Sequence, residues 1–296
     1  MEERVMPYGE PVPTGTVENT TGWGYSMSDC ECDFTDGKFP SQLPHIHDSL
    51  ELYFHLSGDV SFLVGDRVYP LQKGDVVLSR RHELHLCVYN SPCVHRHLCG
   101  WVDIPGGGLP SVLSGREDFF PVVHLRGEDE ERYLACAKDL ARFGGDGGYA
   151  TEALACLTEM FVLLRKNTGK ERAENYPDDF RPILDYCNER FCEISGVEEI
   201  CSHFFVSRSS LDRIFRRNLR IGPKEYLVSR KMAYAKRLLT EGKTVEDTAF
   251  LCGFGDASHF IAVFKKRFLV TPKTFQRRSG LLREREGEVG RPLPLP

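Results

Sequence analysis

Residues 197–219, VEEICSHFFVSRSSLDRIFRRNL, read as a short helix, a turn and a second helix, and the same design is written again downstream. In the first copy Leu211, Ile214 and Phe215 recur at i, i+3 and i+4 and face inward, while Arg208, Ser209, Asp212, Arg213 and Arg216 face out. Residues 244–268, TVEDTAFLCGFGDASHFIAVFKKRF, repeat it with Gly253 at the turn and Phe260, Val263 and Phe264 inside. The remaining positions of that copy include Ala257, Ser258, Ile261, Ala262, Lys265 and Lys266, with Ile261 and Ala262 able to face either outward or into the core. An offset of 49 residues, Ser207 to Asp256, separates the two outward-reading helices. Between them Pro223 opens a long helix, a position where its missing N–H has no intrahelical partner to lose. Two helix-turn-helix units held by one helix make residues 180–280 an all-α domain.

Charge is divided in the same way. The net charge of −5 splits into 16 Lys and Arg against 27 Asp and Glu over residues 1–177, and 22 against 16 over residues 178–296. The basic half is the one that can meet an acidic polymer. A helix-turn-helix lays its second helix in the major groove, so two units in tandem suit successive grooves about 34 Å apart. The second outward-reading helix offers mainly methyl and butyl surfaces, and its basic run Lys265, Lys266 and Arg267 is expected to add phosphate affinity.

The first half has another period. Strand-like segments run from about Trp23 to His97, broken by turn signals at 57–59, 65–66 and 73–74, which suggests a sandwich or small barrel. After a glycine-rich stretch at 103–110, residues 128–143 and 149–166 read as helices. The second carries Ala150, Ala153, Leu154, Leu157, Met160, Phe161 and Leu164 on one stripe, which suits either the pairing of two copies of the chain or burial against its own barrel. Residues 167–179 read as a linker and 281–296 as a disordered tail. The opening residues lack the apolar core of a secretory signal and no run is long enough to span a membrane, so the expected compartment is the cytoplasm. Eleven cysteines without a paired CxxC spacing read as reduced thiols, with a thiol or metal role left open at Cys30, Cys32 and Cys99.

The segment PHIHDSLELYFHLSG, residues 44–58, sets His45, His47 and Glu51 within seven positions, and Glu51, Tyr53 and His55 share one face of a strand. With His85, three imidazoles and a carboxylate suit a divalent transition metal with open positions, or they line a polar sensory pocket. His82, His95 and His97, near Arg80, Arg81 and Arg96, could help hold an anionic ligand, although strand-end histidines and arginines more often face solvent.

These motifs resemble known families. SLDRIFRRNLRIGPKEYLVSRKMAYAKRLL followed by VEDTAFLCGFGDASHFIAVFKKRFLVTPKTF is similar to the DNA-binding module of the AraC/XylS transcription regulators over about a hundred residues. Arg230, Ala235, Leu238, Ala249, Gly253, Phe254, Asp256, Phe260, Phe264, Lys265 and Pro272 fall where that pattern expects them. Two positions depart: the glycine usual after each recognition helix is Arg220 in one unit and Leu269 in the other. His45-x-His47-x3-Glu51-x6-Gly58 and KGDVVLSRRHELH resemble the two motifs of cupin barrels, without the leading glycine of the first. The resemblance implies an α+β chain: a cupin-like β-barrel (15–125), a helical dimerisation segment (126–166) and the double helix-turn-helix domain. It implies a homodimeric, effector-responsive regulator that binds promoter DNA, and RNA polymerase if it activates, with Ser209, Asp212 and Arg213 of the first recognition helix and Ala257, Ser258, Ile261 and Ala262 of the second at base edges and Arg208 and Arg216 nearer the phosphates. The effector would be a small polar metabolite such as a sugar, held by His45, His47, Glu51, Tyr53 and His85. The alternative is a metal-dependent cupin enzyme with a regulatory DNA-binding domain.

Overall fold

In the computed structural model, residues 24–39, 42–46, 49–81, 83–103, 121–143, 147–168 and 180–277 are described. The secondary structure falls into two compact units, one β-rich and one helical. The proposed linker, from residue 169, and the tail lie outside the described residues.

The first unit contains β1 (Gly24–Asp33), β2 (Leu50–Ser57), β3 (Val60–Val64), β4 (Arg67–Pro70), β5 (Asp75–Ser79), β6 (His85–Tyr89), β7 (Val94–Asp103) and β8 (Val122–His124). They pair antiparallel into a five-stranded sheet of order β1-β7-β2-β5-β8 and a three-stranded sheet of order β4-β3-β6. Alternation along β2 decides which side chains meet. Tyr53 belongs to an apolar cluster with Phe62, Val77 and Tyr89, while Leu50, Leu52 and Phe54 point to the other face. The expectation of a barrel is corrected: among the described residues no ladder joins the two sheets into a closed cylinder. Strand number and spacing suit a sandwich as well as a barrel, and the barrel expectation rests on the motif resemblance.

Helices α1 (Glu128–Phe143) and α2 (Ala150–Asn167) cover the Leu50 face. Ala153, Leu157, Met160, Phe161 and Leu164 of α2 join Tyr133, Ala137 and Leu140 of α1 in one core with Leu52 and Phe54. Of the two uses open to the α2 stripe, Leu157 takes burial within its own chain, being only 1% exposed. Each such fully buried side chain contributes about 1.5–3 kcal/mol through removal of apolar surface from water. Leu154, at 49% exposure, lies outside that core, and so does Val162, at 59%.

The second unit comprises α3 (Arg181–Arg190), α4 (Val197–Phe204), α5 (Arg208–Leu219), α6 (Pro223–Thr240), α7 (Val245–Leu251) and α8 (Ala257–Phe268). Its boundaries follow local chemistry. Ser207 Oγ accepts from Ser210 N at 3.2 Å at the start of α5, and Asp256 accepts from Ser258 N and His259 N at the start of α8. Such caps satisfy N–H groups that the helix itself leaves open. The two departures from the glycine pattern prove to be tolerated strain: Arg220 and Leu269 both adopt the left-handed conformation, with φ of 58° and 59°.

Candidate nucleic-acid interface and inner-face cluster

Leu211, Phe215 and Leu219 bury one side of α5, which leaves Arg208, Ser209, Arg213 and Arg216 exposed on the other and Asp212 half-buried. Arg208 pairs with Glu198 of α4, and Arg216 Nε donates to Asp212 Oδ2 at 2.6 Å. Exposed ion pairs contribute about 0–1 kcal/mol, so a phosphate can compete for either arginine. Arg213 makes no ion pair among the described residues and is the side chain on this helix with its guanidinium available for a base edge.

On α8, Phe260 and Phe264 face the core, Val263 is half-buried, and Ser258, Ile261, Ala262, Lys265 and Lys266 are exposed, with Ala257 half-buried. Ile261 and Ala262 therefore lie on the outer face. Arg267 does not join Lys265 and Lys266 as a phosphate contact. It is 8% exposed, with Nη1 donating to Glu225 Oε1 at 2.6 Å and Nη2 to Ser229 Oγ at 2.5 Å, so it ties α8 to α6.

Lys231, unremarked in the sequence, links the two helix-turn-helix units. Its Nζ donates to the carbonyls of Ile194 (3.3 Å) and Gly253 (3.2 Å) and lies over the Phe254 ring. Burial lowers its pKa from the ordinary lysine value.

In the first unit the structure brings Glu51 and His85 together, whereas His45 is grouped with the second unit. His85 Nε2 lies 3.1 Å from Glu51 Oε2, to which Trp101 Nε1 also donates at 3.3 Å. His47 and His82 lie outside the described residues. Tyr53 is buried on the same face of β2 as Glu51, and burial drives its pKa well above the ordinary value.

For His95 and His97 the sequence leaves a choice between an anion-binding role and the solvent-facing position usual at strand ends. Both lie inside β7 and are buried, and His97 is directly opposite His55 in the β2–β7 ladder. The rings stack, with centroids 4.8 Å apart for His95–His97, 5.5 Å for His55–His95 and 4.7 Å for Tyr53–His97. Tyr53 Oη lies 2.7 Å from His95 Nε2, and His95 Nδ1 lies 2.9 Å from the Ser57 carbonyl. Burial, reinforced by His55, lowers His95 to about 4, and burial, reinforced by His95, lowers His97 to about 3. The alternating pattern of β7 was a signal that these histidines share a face; the side on which the sheet buries that face was not in it.

Comparison with known proteins adds a separate line of observation. The chain matches the AraC-like ligand binding domain over residues 33–175 and the Helix-turn-helix domain over residues 200–278. Among curated relatives, the HTH-type transcriptional activator RhaS of Klebsiella pneumoniae (strain 342) is 25% identical over 241 residues, covering 77% of this chain and 85% of that protein. RhaS of Citrobacter koseri is 26% identical over 251 residues, covering 80% and 89%. Among solved structures, ToxT from Vibrio cholerae in its P21 form shares 15% identity, covers 85% of this chain and 97% of that one, and superposes with a TM-score of 0.36.

Proposed function

Because the chain belongs to the AraC/XylS family of transcription regulators, pairing a ligand-binding domain with a helix-turn-helix DNA-binding domain, we propose that it reads promoter DNA with α5 and α8 and holds, without turning over, a small polar metabolite of the sugar class between its sheets. The observation that carries this reading is the pair of capped helices. Each buries its aromatic side against the unit's own core and presents a short polar or basic set outward. Arg213 and Ser209 supply most of the base specificity, while Lys265 and Lys266 supply phosphate contacts with little sequence preference.

Two copies pair through the outer stripe of α2, where Leu154, Thr158 and Val162 recur at i, i+4 and i+8 and are exposed. An activator of this design would also meet RNA polymerase. Glu51 and His85 suit a divalent transition ion, with His45 and His47 as the further donors that the motif resemblance implies. Such an ion would polarise a bound hydroxyl. Trp101 donates to Glu51 and so orients that carboxylate.

Anisotropy titrations of the full chain on DNA from upstream of its own gene test the reading. Affinity should fall steeply between about 50 and 200 mM salt. Arg213→Ala should relax preference at one or two base pairs, and Lys265→Ala should weaken all sequences alike. A folded protein without salt-sensitive DNA binding would refute it.

A further inference from the structure

The inner face of β1, β7 and β2 carries a row that neither the DNA-binding reading nor the candidate metal group uses. Cys30 pairs with His97, and His97 pairs with His55, so three side chains cross three adjacent strands in register. The row is graded in depth. His55 is 1% exposed, His97 is 9% exposed, and Cys30 is half-buried on β1, the edge strand of the sheet.

Hydrogen bonding along the row is incomplete. His55 Nε2 lies 3.1 Å from the Gly58 carbonyl, which can only accept, so Nε2 carries the proton of the neutral ring and Nδ1 is left with a lone pair. That Nδ1 is buried and has no partner among the described residues, and the same holds for Nδ1 of His97. Neighbouring His95 differs, since both of its nitrogens are engaged. Buried polar atoms without partners are rare in native proteins and ask for an explanation such as an absent ligand. Two of them in one row, reaching toward a sheet edge, point to a hydrogen-bonding occupant.

Charge on the same face restricts that occupant. Beside the row, β1 contributes serine and cysteine, β2 contributes Glu51 and Tyr53, and β7 contributes His95, Cys99 and Trp101; none of these is a lysine or arginine. Arg96 of β7 sits at an outer position and pairs there with Glu31. Burial also holds the imidazoles neutral. With Glu51 as the nearby carboxylate, the described residues of this face offer an anion no lysine or arginine to pair with.

We propose that His55 and His97 form the polar end of the effector site, and that the effector is an uncharged, hydroxyl-rich compound that donates a hydroxyl to His55 Nδ1 and hydrogen-bonds His97 after entering at the β1 edge. This rests on the reading that the first unit binds its effector between the sheets. The probes are uncharged aldopentoses, aldohexoses and their deoxy forms, set against the matching uronic acids and sugar phosphates, titrated into the full chain by calorimetry. His97→Phe keeps the ring and its stacking on Tyr53 and His95 but removes both nitrogens.

At least one uncharged probe should bind, and His97→Phe should weaken it roughly tenfold or more. The unliganded variant should melt at or above the native temperature, because it loses no internal hydrogen bond. In 15N-histidine spectra, the His55 Nδ1 resonance should move upfield on binding. Tight binding by only the acids or phosphates, unchanged affinity in His97→Phe, a stationary Nδ1 resonance, or no binding by any uncharged probe would each overturn the proposal. DNA affinity measured on the same samples separates the two readings: its loss in native protein removes the regulator, whereas its persistence with a failed sugar titration removes only this site.

Discussion

Gly253 at the turn of the second helix-turn-helix unit is where one methyl group should do most damage. Its φ of +70° is left-handed, which costs an alanine about 1–2 kcal/mol. The second cost is contact. A Cβ at this position would overlap the carbonyl oxygen of Cys192 and lie 2.8 Å from its carbonyl carbon and 3.2 Å from Lys231 Nζ. Relief requires the backbone of one helix-turn-helix unit to withdraw from the other, an overpacking penalty of about 1–3 kcal/mol. Gly253→Ala should therefore lose about 2–5 kcal/mol, a large share of the roughly 5–15 kcal/mol of an ordinary domain. Gly242→Ala is the internal control, since its φ is +91° but nothing lies within 4 Å of the added atom. Urea denaturation of the helical unit measures both. DNA affinity should fall further in Gly253→Ala, because the carbonyl that accepts from Lys231 moves and with it the relation between α5 and α8. Equal losses in the two variants would show that the close approach to Cys192 contributes nothing, and the reasoning would fail.

Leu157→Glu should unfold the first unit, at a cost above about 4 kcal/mol, by placing a carboxylate in a dry core. Val162→Glu should change stability by less than about 0.5 kcal/mol and convert a dimer to monomer in sedimentation, and an unchanged dimer would place the interface elsewhere. Leu269→Gly should stabilise the second unit by about 1 kcal/mol in thermal denaturation, since it relieves a left-handed residue whose side chain is mostly exposed. Acid should weaken the first unit: His95 and His97 titrate near 4 and 3 when folded but near 6.5 when unfolded, so the unfolded chain takes up protons first. Their stabilisation is complete above about pH 6.5 and is lost as pH falls toward 3–4; a denaturation midpoint unchanged between pH 7.5 and 5 would contradict this. Protein purified without chelator should carry about one transition-metal ion per chain by elemental analysis, and His85→Ala should lose it. Absence of metal, with no uptake of added zinc, iron, nickel or manganese, would leave a purely hydrogen-bonding pocket.

The sequence alone determined whatever depends on neighbours a few residues apart. The duplicated helix-turn-helix, the caps at Ser207 and Asp256, the start of α6 at Pro223 and the limits of α1 all follow from short-range periodicity and backbone chemistry. Glu51 and His85 were grouped through the resemblance to the two cupin motifs, and the structure sets them 3.1 Å apart. Tertiary structure decided what each pattern is pressed against. The α2 stripe announced burial but could not say whether its own sheet or a second copy supplies the cover. Lys265, Lys266 and Arg267 form one basic run, yet a rotation of about 100° per residue sends the last toward Glu225 and Ser229 on α6. In the same way, the alternation of β7 put His95 and His97 on one face, and only the register with β1 and β2 turned that face inward. Burial is a property of the partner surface, and partners distant in sequence, such as Gly253 and the Cys192 carbonyl, leave no mark in the local pattern of either.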